Sequence, residues 1–397
     1  MTNAVILPPT AASFQRVAGL LVIQRTVRAA LRCCERVFVL AGEHAGPLNE
    51  LLEAEGRADA VEVAKTVSVA EGVLVLIPSD CVLTAGTLER VKAATLDGRP
   101  LLFGTAGGAR MSLCRPGMLA GIDLGTLAAS GAEALWTTLQ ARGAQAVPLG
   151  GEICLPVSDE RTAVAAEAAL CARLRATAAA SDGPLAHWID RRISLRISRW
   201  LVRHTWLRPN HITIVGTCVG LLAAGLLAVG SYGTGVAGTL LFLCATIIDG
   251  CDGEVAQLTF RESAFGDKFD VITDNIVHAA IFIGLALGLH HRDPTGHSLV
   301  FLGVLLGGFA CGVIVSYVFL VLRPDFARSG SPPVSWKGKV RRWSLGAFKA
   351  AMNRDFAYLL VLFAIFDHLD WFLWGTAFGT YLFAVLLVGI YRWPEGG

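Results

Sequence analysis

The chain has 397 residues, a formal net charge of +2 and 54% hydrophobic residues. A charge this close to neutral lacks the basic excess typical of nucleic-acid-binding proteins, so no nucleic acid is expected as a partner. The apolar residues are unevenly spread, because residues 1–183 have a globular composition whereas long apolar runs dominate beyond Arg208. Composition therefore predicts a soluble front domain followed by a membrane domain.

The front domain, predicted over residues 1–183, alternates short apolar runs with helical patterns. The apolar runs predict buried strands at Ala4–Leu7, Arg36–Leu40 and Val73–Ile77. Helices are predicted between or after them at Arg25–Cys34 and Thr87–Ala94. This order of elements predicts a cytoplasmic α/β domain of Rossmann-like type.

Two segments of the front domain, Val17–Thr26 and Val73–Asp80, are similar to sugar- and alcohol-phosphate nucleotidyltransferases. In that family a Gly-rich loop after the first strand cradles a triphosphate through its backbone amides. Here the corresponding stretch Leu7–Gln15 contains no glycine, and Leu20 stands in place of the expected lysine. Asp80 occupies the place of the metal-binding aspartate. The departures favour a degenerate, non-catalytic domain in which Asp80 caps a strand rather than binding a metal.

Residues 184–208 are predicted to form an amphipathic helix between the two domains. The arginines lie largely opposite an apolar side that consists of Trp188, Ile189, Ile193, Ile197, Trp200 and Leu201. This pattern predicts a helix in the membrane interface. An ordinary helix between domains is the alternative.

The membrane domain, predicted over residues 209–397, contains six apolar runs, most of which approach the roughly 20 residues needed to cross a bilayer. The runs are about 211–229, 236–257, 271–290, 298–322, 356–369 and 371–391. Lysine and arginine concentrate before the first run and in the connection 323–354. By the positive-inside rule, both termini and the acidic site at the junction of the second and third runs are expected to face the cytoplasm, in a multi-pass protein of the plasma membrane. The basic connection either holds anionic headgroups or a phosphorylated acceptor, or only sets this orientation.

Two further features of the sequence bear on the cellular setting. The start Met1–Thr10 lacks the pattern of a cleavable signal peptide. The ten cysteines include no C-x-x-C pair, so buried thiols without disulfides are expected on the cytoplasmic side. A packing role is also expected for Cys251, although it lies among acidic residues.

Four aspartates lie where the second and third apolar runs meet. These are Asp249, Asp252, Asp270 and Asp274. Their spacings of three and four residues place each pair on one face of a helix, and a reversal across Leu258–Phe265 would bring the two faces together. Ionisable residues at membrane depth are costly and normally functional. The alternative is that these acids pair with Arg261 and Lys268 at a membrane boundary.

The acidic pocket has an all-oxygen donor set. Such a set suits hard cations such as magnesium, manganese or calcium. Two divalent ions would balance four carboxylates and clamp the attacking and leaving oxygens of a phosphoryl-type displacement.

The acids and their neighbours resemble the signature of the CDP-alcohol phosphotransferase family, D-x-x-D-G-x-x-A-R-x8-G-x3-D-x3-D. Every fixed position matches except that Gln257 stands in place of the arginine. The resemblance implies transfer of a phospho-alcohol group from a CDP-alcohol donor to an acceptor hydroxyl, with release of CMP. It also implies two Mg²⁺ or Mn²⁺ ions, contact with membrane lipids and a homodimer.

The same resemblance assigns roles residue by residue. The metal ligands would be Asp249, Asp252, Asp270 and Asp274, and Asp274 would also take the proton of the acceptor hydroxyl. The nucleotide would contact Gly253, Ala256, Gln257 and Gly266. Asn210 and Thr213, in the Pro-Asn-x-x-Thr start of the first run, would contact the nucleotide or cap the helix. Gln257 removes a fixed positive charge, so substrate choice or rate is expected to differ from that of the family.

The order of the two domains resembles the bifunctional inositol-phosphate cytidylyltransferase and di-inositol-phosphate phosphate synthase proteins. CDP-diacylglycerol with a polar acceptor and CDP-inositol with an inositol phosphate are both open as substrates. Two other classes of function also fit the acids. One is a cation- or proton-coupled transporter that uses them as a relay, although no inverted repeat is visible. The other is a catalytically inactive scaffold, which Gln257 and the absence of glycine from the loop Leu7–Gln15 suggest.

Overall fold

The computed structural model describes residues 2–42, 45–54, 60–65, 67, 72–104, 110–124, 132–178, 183, 185–320 and 355–392. The predicted basic connection 323–354 lies outside these residues. Contacts divide the chain into two compact units. The first comprises Met1–Arg173, Val202–His204 and Leu258–Phe260, and the second Leu174–Leu201, Thr205–Gln257 and Arg261–Gly397.

A seven-stranded mixed sheet forms the centre of the first unit. Its strands are β1 (Thr2–Ile6), β4 (Arg36–Leu40), β5 (Val61–Ala64), β6 (Val73–Ile77), β8 (Leu101–Gly104), β9 (Arg110–Cys114) and β10 (Gln145–Pro148). Across the sheet they lie in the order β10-β8-β9-β6-β1-β4-β5. Two small pairs join β2 (Arg16–Val17) to β3 (Leu20–Leu21) and β7 (Cys81–Leu83) to β11 (Cys154–Pro156). Strand β1 runs parallel to β4 and β6, whereas β9 is antiparallel to both of its neighbours. The predicted α/β front region and its three strands are confirmed, and its Rossmann-like type stays a prediction.

The helices of the first unit alternate with the strands. They are α1 (Val22–Cys33), α2 (Ala45–Ala54), α3 (Ala85–Lys92), α4 (Ala132–Ala141) and α5 (Glu160–Ala178, of which the last five residues belong to the second unit). Successive residues of β1 enter two different cores, as the two-residue period of a strand requires. Ala4 and Ile6 pack in one core with Ile23 of α1, whereas Val5 packs in the other with Trp136 of α4. Both faces of the sheet are therefore covered.

Two arginines of α1 bind the turn Leu258–Phe260, which belongs to the first unit. Arg25 is 1% exposed, and its Nη1 donates to the carbonyl oxygen of Leu258 at 2.7 Å. Arg28 donates to the carbonyl oxygen of Thr259 at 2.6 Å. Burial lowers the pKa of Arg25 to about 10, so its guanidinium stays charged at neutral pH. The carbonyl groups of Leu258 and Thr259 thus accept hydrogen bonds from charged side chains.

The second unit consists of helices. They are α6 (Arg191–His204, of which the last three residues belong to the first unit), α7 (Pro209–Val229), α8 (Tyr232–Thr259, of which the last two residues belong to the first unit), α9 (Ala264–Arg292), α10 (Ser298–Leu320), α11 (Phe356–Ile365) and α12 (Leu369–Arg392). Within the described residues, three helices are long and apolar enough to cross a membrane, namely α7, α8 and α9. They contain the first three predicted runs. The fifth run corresponds to the short helix α11, and the count of six spans stays a prediction.

Helices α7 and α9 approach each other closely through small residues. A Cβ atom at Gly284 would lie 2.2 Å from the carbonyl oxygen of Ala224, and one at Gly288 would lie 2.0 Å from that of Leu227. Both distances are shorter than any non-bonded contact of a real Cβ atom. Glycine therefore permits the backbone contact between these two helices.

The predicted amphipathic helix is found as α6, preceded by a π-helical turn Ala186–Asp190. Its predicted apolar side is exposed, with Trp188 60% and Trp200 57% accessible. The buried side instead includes the serines Ser194 and Ser198. The segment is thus helical, with its apolar side chains exposed, and its role as an amphipathic helix at a membrane interface stays a prediction.

Candidate active site

A tight reversal joins the two helices that carry the acids. Helix α8 ends at Thr259 and α9 begins at Ala264, inside the predicted reversal Leu258–Phe265. The side chain of Ser263 caps α9 by accepting a hydrogen bond from the amide of Gly266 at 3.0 Å. Ser263 is thereby identified as an N-cap residue.

Three of the four predicted metal ligands come together. Asp249 of α8 and Asp270 and Asp274 of α9 each offer a carboxylate oxygen, and these oxygens lie within 4.8 Å of one another. All three residues are half-buried. Ligands on opposite sides of one ion are about 4.2 Å apart for Mg²⁺ and about 4.6–5.2 Å apart for Ca²⁺. The donor set and its spacing therefore fit a hard divalent cation.

The fourth acid, Asp252, lies outside this group of three. It is 7% exposed, and its carboxylate accepts hydrogen bonds from the hydroxyl of Thr213 and from the amide of Gly253. Thr213 lies on α7, so this contact connects α7 to the acidic motif on α8. The sequence suggested a nucleotide contact or a helix cap for Thr213, and the structure places its hydroxyl on a candidate metal ligand.

The candidate nucleotide residues differ in exposure. Gly253 and Gln257, one turn apart on α8, are exposed, whereas Ala256 is 8% exposed. No heavy atom lies within 4 Å of a Cβ atom built on Gly253. A Cβ atom on Gly266 would lie 3.6 Å from Oδ1 of Asn210, so these two candidates lie side by side. The motif face of α8 around Gly253 therefore has room for a ligand.

A cavity of about 160 Å³ is lined in part by two of the acids, Asp249 and Asp274. Its polar lining consists of Thr217, Thr246, Asp249, Asp274 and His278, and its aromatic lining of Phe242 and Phe356. On α8, Phe242 and Thr246 precede Asp249, whereas Gly253 follows it. On α9, His278 follows Asp274, whereas Gly266 precedes Asp270. A space of this size and lining suits a small hydroxyl-bearing molecule or several waters.

His278 lies beside the candidate catalytic base. Its Nδ1 is 2.8 Å from the carbonyl oxygen of Asp274. Because a carbonyl oxygen only accepts, Nδ1 carries a proton and donates it. The ring also contacts Phe242 and Phe356, with centroid distances of 6.0 and 5.3 Å. Sequence reasoning missed His278, although its position one turn after Asp274 was a usable signal.

The described cysteines are not joined in disulfides. Cys251 is fully buried, with its Sγ 3.4 Å from the carbonyl oxygen of Ile247 and 3.6 Å from that of Ser194. These contacts agree with the predicted packing role.

The loop Leu7–Gln15 is held by hydrogen bonds that include the hydroxyl group of Ser79, which follows β6. Ser13 donates to the Oγ atom of Ser79 at 3.0 Å, and Ser79 donates to the carbonyl oxygen of Pro8 at 2.8 Å. A 3₁₀ turn at Ala11–Phe14 occupies the middle of the loop. Asp80 accepts from Sγ of Cys81 at 3.7 Å, and burial raises the pKa of the Asp80 carboxyl. The side chains of Ser13, Ser79 and Asp80 therefore all make hydrogen bonds within the first unit.

The full-length protein is expected not to convert CTP and an alcohol phosphate into a CDP-alcohol. The physical reason is that Leu7–Gln15 offers no glycine-rich nest of amides to a triphosphate. Pyrophosphate release should equal that of an Asp80→Ala control. Release clearly above that control would make the front domain a working nucleotidyltransferase.

Comparison with known proteins places the acids inside a recognised family domain. Residues 206–382 match the CDP-alcohol phosphatidyltransferase family. The C-terminal part of the chain is therefore a domain of this family. It contains all four acids, together with Asn210, Thr213 and His278.

The relatives include two proteins named bifunctional IPC transferase and DIPP synthase. That of Rubrobacter xylanophilus is 37% identical over 29% of this chain and 26% of the relative. That of Archaeoglobus fulgidus is 26% identical over 57% of this chain and 42% of the relative. The chain thus matches less than half the length of each. A solved structure of Mycobacterium tuberculosis phosphatidylinositol phosphate synthase with CDP-DAG bound has 21% identity and a TM-score of 0.30. The match covers 50% of this chain and 89% of that one.

Proposed function

We propose that this protein is an integral membrane enzyme that transfers a phospho-alcohol or phosphatidyl group from a CDP-alcohol to an acceptor hydroxyl. The observation that carries the proposal is the group formed by Asp249, Asp270 and Asp274 inside the family domain. The proposal is also supported by two relatives, each of which is named as both a transferase and a synthase.

The proposed reaction is a displacement at phosphorus. The acceptor oxygen bonds to the phosphorus that carries the donor's alcohol, and the bond from that phosphorus to the bridging oxygen breaks. CMP leaves with the bridging oxygen. Asp274 is the general base that takes the acceptor's proton, a role that the family resemblance implies and that its position in both the acidic group and the cavity lining supports.

All four acids are proposed to bind cations and to position the donor. Asp249, Asp270 and Asp274 would hold Mg²⁺ or Mn²⁺, with Asp252 joining them at a second ion. When bound, two such ions supply positive charge that stabilises the charge developing on the phosphate oxygens. Gly253 leaves room for the cytidine nucleotide beside Asp249. The donor's pyrophosphate is thereby aligned with the acids.

The acceptor is proposed to enter the cavity beyond Asp249 and Asp274. That cavity touches both acids, but its lining includes neither Gly253 nor Gly266. The hydroxyl groups of Thr217 and Thr246 can accept hydrogen bonds from acceptor hydroxyls. The acceptor's reacting oxygen would then lie next to Asp274.

The cellular arrangement is also proposed. The distribution of lysine and arginine supports a cytoplasmic position for both termini and the acids, on the side where CTP-derived donors are available. A homodimer is proposed from the family resemblance. The product would belong to phospholipid or inositol-phosphate-type synthesis.

The proposal is tested by CMP release from the purified full-length chain in detergent with Mg²⁺. The panel of donors should include CDP-diacylglycerol with polar alcohols and CDP-inositol with an inositol phosphate. Release that depends on both donor and acceptor, and stops with a chelator, is the expected result. A flux of cations or protons into vesicles that contain the protein, without CMP release, would instead support a transporter. Absence of both activities would support an inactive scaffold.

Restoring the family's arginine by Gln257→Arg is expected to lower kcat/KM on the native substrate pair. Gln257 retains hydrogen-bonding capacity in an otherwise unbroken motif, which favours retuning for a different or more negatively charged set of substrates. The longer guanidinium would then obstruct this exposed face of α8. The opposite result, a gain, would follow if the restored arginine bound a donor phosphate. A new ionic hydrogen bond of this kind contributes about 1.5–3 kcal/mol before the cost of desolvation is subtracted. A clear gain in kcat/KM would therefore contradict the retuning hypothesis.

A further inference from the structure

Glu254 is a fifth acid within the motif, and it has no assigned role. It occupies one of the variable positions between Gly253 and Ala256. Glu254 is only 4% exposed. A buried carboxylate is costly unless charged or polar groups bind it. Its partners therefore indicate what it does.

The partners of Glu254 all come from one helix, α6, and lie within the second unit. Oε1 accepts from Nη1 of Arg191 at 3.1 Å and from Oγ of Ser194 at 2.6 Å. Oε2 accepts from Oγ of Ser198 at 2.7 Å. Ser194 and Ser198 are four residues apart, so both face the same side of α6. Three donors thus hold both oxygens of one carboxylate.

Glu254 points away from the acidic group. It follows Asp249 by five positions, which is roughly 140° around the axis of an α-helix, whereas Gly253 is only roughly 40° from Asp249. Glu254 is therefore on the back of α8 and Asp249 on the front. A side chain in this place does not bind the same ion as Asp249. It can act on that ion only by fixing the rotation and position of α8.

We propose that Glu254 is a positioning residue that locks α8 onto α6 and so holds Asp249 in the geometry that binds the metal. This inference rests on the proposed function for its effect on turnover. Outer residues that orient metal ligands change metal affinity or activity by about 10–100-fold when they are replaced. The apolar side of α6 is exposed in the same helix, so the network fastens a candidate membrane-surface helix to the catalytic motif.

The test measures binding of Mn²⁺ to the purified full-length protein by electron paramagnetic resonance, with turnover and thermal midpoint in parallel. Glu254→Gln replaces one accepting oxygen with a donor and removes the charge that Arg191 binds. We expect the dissociation constant for Mn²⁺ to rise about tenfold or more. Ser198→Ala should have a smaller effect of the same kind. The double variant should be no worse than Glu254→Gln alone, because both changes act on one network.

Two adjacent arginines of α6 provide a matched control. Arg191 points inward to Glu254, whereas Arg192 is exposed, with its guanidinium 5.3 Å from the centre of the Trp188 ring. Arg191→Gln should weaken Mn²⁺ binding, and Arg192→Gln should leave it within about twofold of the wild type.

Three results would overturn the positioning role. They are wild-type Mn²⁺ affinity in Glu254→Gln and Ser198→Ala, a loss of thermal stability alone, and equal effects of the two arginine changes. If Glu254→Gln does not fold, Ser198→Ala and Arg191→Gln decide by the same criterion. A wild-type protein that binds Mn²⁺ but releases no CMP would contradict the proposed function and leave the positioning test in force.

Discussion

Replacing Asp270 with asparagine is expected to lower metal-dependent CMP release by at least about a hundredfold while the protein still folds in detergent. The carboxylate of Asp270 is one of three whose oxygens lie within 4.8 Å. Asparagine keeps the size of the side chain but removes its negative charge, which weakens binding of a hard cation. Each tenfold loss of rate corresponds to about 1.36 kcal/mol of transition-state stabilisation. The measurement is the initial rate of CMP release against Mg²⁺ concentration.

Asp267→Asn is the matched control for this change. Asp267 lies one turn before Asp270 on α9, but it is exposed and outside the acidic group. Its replacement should leave the rate within about twofold of the wild type. Equal loss in both variants would indicate a general effect of charge at the start of α9. Near-normal turnover of Asp270→Asn, or wild-type turnover in a chelator, would reject the metal mechanism.

Replacing Gly284 with alanine is expected to destabilise the helical unit strongly. The new Cβ atom would lie 2.2 Å from the carbonyl oxygen of Ala224, and a backbone atom cannot move aside as a flexible side chain can. Overpacking of this kind typically costs about 1–3 kcal/mol. The thermal midpoint in detergent should fall by on the order of 5 °C.

Gly225→Ala provides the comparison for the packing prediction. Gly225 lies on α7, and no heavy atom is within 4 Å of a Cβ atom built there. Its thermal midpoint should stay unchanged or rise slightly, because alanine restricts the unfolded chain more than glycine does. A Gly284→Ala protein as stable as Gly225→Ala would show that α7 and α9 separate easily.

Local patterns were sufficient to predict several elements of the fold. Three strands of the front domain are runs of buried apolar residues, and the structure places them within two residues of the expected bounds. The first three apolar runs likewise lie inside helices long enough for a membrane. These predictions succeed because hydrophobic periodicity and length depend on neighbouring residues alone.

The contacts between distant residues were not predictable in the same way. The hydrogen bond from Thr213 to Asp252 joins two residues that are 39 positions apart and lie on different helices. Nothing in the Pro-Asn-x-x-Thr pattern specifies this contact. The inward turn of Ser194 and Ser198 was also missed, because α6 was interpreted from its apolar side. A buried acid among apolar residues was nevertheless a usable signal for Glu254, since such a charge requires partners.

The sequence by itself determined the class of chemistry. The spacing of four aspartates and two glycines around a reversal is a local property, and it is sufficient to predict an oxygen-rich site between two helices. Only the tertiary structure decided which of those acids come together and which neighbours they have. Asp249, Asp270 and Asp274 meet, Asp252 turns to Thr213, and Glu254 faces α6. The physical reason is that helix rotation and contact depend on close packing, such as the approach of α7 to α9 at Gly284, which no single segment encodes.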